Sequence, residues 1–178
     1  MRILKKIYVG IFMLGTVLLP AQIAILDSGG PLSPEQAAYD VSFYDLSVRI
    51  MPDTRELEGQ VIVRAKVLHP MNQLVLDLDT LLSVQEVWDL SNPQKPAVAP
   101  YVRKVGKIWI DLGFTRQAGE QISVRILYGG KPRVAVRAPW DGGFTWATTK
   151  TGAPWIATTC QGEGADLWWP CKDHVSDE

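Results

Sequence analysis

From Tyr39 to Tyr128 the chain alternates apolar and polar residues with a period of two. Tyr44, Leu46, Val48 and Ile50 share one side of a strand while Asp45, Ser47 and Arg49 take the other, the signature of a half-buried β-strand. Pro52-Asp53 then turns the chain. Leu57-Glu58-Gly59 leads into a second strand with Val61, Val63, Ala65 and Val67 on one face. The link is too short for a helical crossover, so these two form an antiparallel hairpin. Further strands are expected at Leu74–Leu78, Val84–Trp88, Ile108–Leu112 and Ile122–Tyr128, and residues 91–100, with three prolines, read as a loop. No segment here keeps a helical period. The expected fold is all-β: antiparallel strands in a β-sandwich or saddle-like layered sheets.

Beyond Gly129-Gly130-Lys131-Pro132 the alternation fades and tryptophan, glycine and cysteine crowd together. Phe144, Trp146 and Trp155–Thr159 suggest short strands, and Glu163–Trp169 one or two helical turns stopped by Pro170. Trp140, Trp146, Trp155, Trp168 and Trp169 stand beside Gly and Pro, as anchors of irregular loops do; packing a core is favoured over a platform for sugars.

The amino end has a different composition. Arg2, Lys5 and Lys6 precede an apolar run from Ile7 to Leu19, followed by Pro20-Ala21-Gln22. This run is short for a membrane span and suits an export signal over residues 1–24, with cleavage after Gln22 or Ala24, or a retained anchor as the alternative. Residues 25–38 read as a flexible lead-in. Export places the protein in the periplasm or outside the cell, where Cys160 and Cys171 either pair around the Trp168-Trp169-Pro170 corner or remain two buried thiols. The formal charge of −1 over 178 residues leaves no basic excess to follow a phosphate backbone, which argues against a nucleic-acid partner.

Candidate chemistry is sparse. His69 and His174 are the only histidines, so the chain holds no His-x-x-x-His zinc pair, and it lacks a nucleophile elbow and a phosphate-binding Gly-rich loop. The acid pairs Asp77/Asp79 and Asp45/Asp53 are expected on solvated strand faces rather than around a metal. Gln161, between Cys160 and Gly162 at the end of a strand, is the strongest candidate for recognition, because its amide oxygen accepts a hydrogen bond without bringing a charge. Glu163 is a weaker one.

The stretch Thr158-x-Cys160-Gln161-x-x-x-Ala165-x-x-Trp168-Trp169-Pro170-Cys171-x-Asp173 resembles a segment of the aminopeptidase N-type zinc metallopeptidases. The likeness extends upstream through Tyr39-Asp-Val, Tyr44-x-Leu46, Leu57-x-Gly59, Leu76-Asp-Leu78, Tyr128-x-Gly-Lys-Pro132 and Gly143-Phe144, covering residues 39–178. The resemblance implies an N-terminal β domain, incomplete at its C-terminal end, that packs in cis on a thermolysin-like catalytic domain binding zinc. It implies that Gln161 receives the α-amino group at a peptide's N-terminus, with Glu163 and Phe144 as lesser substrate contacts. Zinc ligands would lie beyond Glu178. Asp166 stands where many relatives carry Arg, so a salt bridge seen in them is not implied here. A rival reading is a non-enzymatic secreted β-sandwich that binds carbohydrate or protein through its tryptophans.

Overall fold

The computed structural model describes residues 28 and 30–177; the expected export signal at 1–24 lies outside them. Ten strands follow one helical turn: α1 (Pro34–Ala37), β1 (Tyr39–Met51), β2 (Glu56–Val67), β3 (Met71–Asp77), β4 (Leu82–Asp89), β5 (Ala97–Val98), β6 (Tyr101–Lys104), β7 (Lys107–Arg116), β8 (Gln121–Gly130), β9 (Gly143–Thr148) and β10 (Pro154–Thr159). A 3₁₀ turn at Ala165–Leu167 closes the series. Among the described residues no helix is long and apolar enough to cross a membrane.

The strands form a five-stranded sheet in the order β1-β2-β8-β4-β5, a three-stranded sheet β3-β7-β6 and a β9-β10 hairpin. Every paired strand runs antiparallel to its neighbour. The β1–β2 hairpin pairs Leu46 with Val61 and Val48 with Gly59, with a bulge between Val41 and Phe43. Period-two patterning then does its work. Val61, Val63 and Ala65 of β2 and Val124 and Ile126 of β8 meet Leu74 and Leu76 of β3 and Ile108 and Ile110 of β7 in one buried cluster. This is the all-β antiparallel fold the alternation implied.

The structure adds detail to three expectations. Within the lead-in, Ser33 caps α1 by accepting from the Gln36 amide at 3.2 Å, and Gln36 itself is buried. The proline loop contains β5, which pairs Trp88 with Val98 at the sheet edge, where flanking prolines cost no ladder bond. The helical turn expected within 163–169 is a single 3₁₀ turn at Ala165–Leu167.

Asp77 and Asp79 depart furthest from the reading. The Leu-Asp-Leu-Asp alternation does face them away from the main core, but that side is covered. A corner made by residues 160–177 lies over β3, joined by reciprocal bonds between Asp77 and Cys171 (2.7 and 3.1 Å) and by the Asp79 amide donating to the Asp166 carbonyl at 2.9 Å. Four consecutive residues of β3, Leu74 to Asp77, are therefore buried.

Candidate substrate-recognition corner

The corner is assembled from charged and polar groups that have lost water. Asp77 faces the Lys107 ammonium, accepts from the Gln36 side-chain amide at 2.6 Å and accepts from the Asp173 backbone amide at 3.0 Å, tying α1, β7 and the corner together. Lys172 is buried with its ammonium 4.8 Å above the Tyr39 ring. It donates to the Tyr39 carbonyl at 2.8 Å and pairs with Asp177 at 3.0 Å, while its backbone amide donates to the Tyr44 hydroxyl at 2.9 Å. Trp169 stands edge-on to Tyr44, with centroids 4.7 Å apart. The corner is thereby fastened to the first residues of β1.

Gln161 lies at the head of this corner, in the turn between β10 and the 3₁₀ segment. The turn closes on itself, with the Cys160 carbonyl accepting from Glu163 at 3.3 Å and Gly164 at 2.9 Å. Gly164 has φ of 83°, and a side chain there would collide with the Asp173 carboxylate, so only glycine fits. Gln161 is exposed, and among the described residues its side chain makes no hydrogen bond.

The other predicted contacts fare differently. Glu163 is half-buried and turned inward, 3.5 Å from the Arg133 guanidinium, which also donates to the fully buried Asp79 at 2.9 Å. Phe144 is 2 % exposed and stacks on Trp146 with centroids 5.4 Å apart. It is a core residue in this domain. Cys160 and Cys171 carry free thiols. Cys171 is buried, its backbone bridged to Asp77, and Cys160 is half-buried; burial raises both thiol pKa values. Trp146, Trp168 and Trp169 pack against the core, whereas Trp140 and Trp155 are exposed at 71 % and 51 %.

Asp166 is the least comfortable group. It is 4 % exposed, one carboxylate oxygen has no hydrogen-bond partner, and its pKa is pushed up to about 8 by burial first, then by the charges of Asp173, Asp77 and Asp79. Arg133, Asp79 and Lys172 were missed as site residues. Lys172 had a signal in its place between Cys171 and Asp173, but nothing along the chain links Arg133 to residues 30 positions later.

Among the described residues, no group of three or more His, Cys, Asp or Glu side chains is placed to hold a metal ion. Residues 41–176 match the model of the Peptidase M1 N-terminal domain. The chain belongs to that family. This M1 domain also shares its fold with solved structures. It matches an M1 zinc metallopeptidase from Deinococcus radiodurans with a TM-score of 0.59 and 24 % identity, covering 86 % of this chain and 33 % of that one. It matches leukotriene A4 hydrolase from Saccharomyces cerevisiae with a TM-score of 0.57 and 20 % identity, covering 77 % and 21 %. The M1 domain thus spans about a third of the length of the first and a fifth of the second. No curated protein matches it in sequence.

Proposed function

We propose that this M1 domain is the recognition domain of an exported zinc aminopeptidase, and that Gln161 receives the free α-amino group of a peptide substrate. The observation carrying the reading is an exposed amide, without a hydrogen-bond partner among the described residues, on a turn whose flanks are fastened to β3 and β1. A terminal ammonium has three donors, and a rigid acceptor measures the distance from that end of the substrate to the reacting bond. The Deinococcus relative has been crystallised with a Tyr-Ser-Ala substrate, and related structures with L-arginine and L-tryptophan, ligands that carry an α-amino group.

Among the described residues no side-chain group is placed to hold a metal ion, and in this reading zinc is held by a catalytic domain of the full-length protein, packed in cis against this one. Glu163 is a poorer acceptor than Gln161 because Arg133 already faces it. In the full-length protein, Gln161→Ala should raise KM for aminoacyl substrates roughly 10- to 100-fold, the worth of a hydrogen bond to a charged group, with zinc content unchanged. An unaltered KM removes the role of Gln161. Periplasmic or extracellular location is part of the proposal, and fractionation of the native protein tests it.

A further inference from the structure

Gln161 can measure a substrate only if its turn does not drift. Its inward-facing residue is Glu163. A half-buried carboxylate two residues from an acceptor for ammonium would ordinarily swing out and compete for the ligand. It is restrained from two sides. Gly142 backs it so closely that a β-carbon there would lie 2.9 Å from the carboxylate oxygen, and Arg133 lies 3.5 Å from that oxygen, an ion-pair contact without a hydrogen bond.

Arg133 is itself fixed. Its carbonyl accepts from the Phe144 amide at 2.7 Å, while the Ala135 amide donates to the Phe144 carbonyl at 3.0 Å, so its backbone is stitched to β9. Its Nε donates to Asp79 at 2.9 Å. Asp79 is fully buried, accepts from the Leu81 amide at 2.8 Å and donates its own amide to the Asp166 carbonyl. One guanidinium therefore joins the segment after β8, the loop after β3 and the turn after β10. Arg103, the other guanidinium nearby, donates to the carbonyls of Leu78 and Asp79 instead.

We propose that Arg133 is a positioning residue for substrate recognition: by holding Glu163 against Asp79 it locks the Cys160–Gly164 turn and leaves Gln161 as the uncharged acceptor. This rests on the reading of Gln161 given above and adds a regulator of that same site. Arg133 acts through Glu163 and touches no substrate.

The test compares three changes in the full-length protein, using an aminoacyl anilide as substrate. Arg133→Met is made together with Asp79→Asn, so that no buried charge is left alone. Glu163→Gln removes the other end of the pair, and Gln161→Ala is the reference. We expect Glu163→Gln and the Asp79→Asn/Arg133→Met pair each to raise KM about tenfold with kcat within about twofold. Combining all three changes should add little, because they break one unit. Hydrogen exchange at the Gly164 amide should accelerate in each, and Arg133→Lys should recover part of the loss. If KM falls when Arg133 is removed, Glu163 is itself the ammonium acceptor and the proposal is overturned. It is equally overturned if Gln161→Ala raises KM while the other variants leave it unchanged. Should Gln161→Ala have no kinetic effect, the functional reading falls, and exchange at Gly164 still decides the clamp: unaltered protection overturns it.

Discussion

The two-layer sandwich and the 160–177 corner of this domain are held by opposite physics. In the sandwich, Leu74, Leu76, Ile108, Ile110, Val124 and Ile126 are almost wholly removed from water and bring no polar group with them. Such burial is non-directional, and each side chain contributes on the order of 1.5–3 kcal/mol. In the corner and the end of β3 beneath it, Asp77 and Lys172 are buried against ionic partners, Lys107 and Asp177, while Asp166 is buried with one carboxylate oxygen unpartnered. A packed apolar face tolerates small losses, whereas a buried charge that loses its partner keeps its full desolvation penalty. The corner is consequently the more specific and the more fragile half. It is also the half that presents Gln161.

The comparison breaks most visibly at Lys172. Lys172→Met leaves Asp177, whose side chain is 3 % exposed, without its ammonium, and should cost about 3–5 kcal/mol. The loss should be local at first: hydrogen exchange rises over 165–177 while β2 and β8 stay protected. Uniform loss of protection in both regions would mean that corner and sandwich unfold as one unit.

A smaller effect comes from Asp166. Its folded pKa of about 8 lies above the ordinary carboxyl value, so folding favours the protonated form. The folded state binds the extra proton between about pH 4 and 8, and stability therefore falls as pH rises through that window. The contribution is complete below the unfolded pKa. Asp166→Asn should remove the slope, raising stability at pH 8 and changing it little at pH 4. Thermal melts of both proteins across that range check the sign; a parent whose stability climbs from pH 5 to 8 contradicts it.

The sandwich supplies the control and the smallest change. Ile126→Val removes one buried methylene from β8 and should cost about 0.5–1.5 kcal/mol at every pH, by denaturant melts at pH 5 and pH 8. A pH-dependent cost would show that the two halves are coupled more tightly than their separate chemistries suggest.

Much of the domain was legible along the chain. The alternation of Val61–Val67 and Ile122–Tyr128 marked β2 and β8, and the hairpin followed from the short link at Pro52-Asp53. The Cys160-Gln161 to Pro170-Cys171 spacing pointed to the M1 family. Less of the site could be read. Phe144 looked like a contact because it follows Gly143, yet β9 turns its ring into the core. Asp77 and Asp79 looked solvated because strand periodicity reports only which side a residue faces, not what lies on that side.

Hydrophobic periodicity is a local property, and by itself it determined the strands, their antiparallel pairing and the all-β class. Whether a polar face meets water is decided by segments far away in the chain. Residues 160–177 cover β3, and Arg133, 30 positions before Glu163, pairs with it only because β9 and β10 fold back between them. Burial of charge and the aim of the Gln161 turn are long-range outcomes of packing, and the tertiary structure alone decided them.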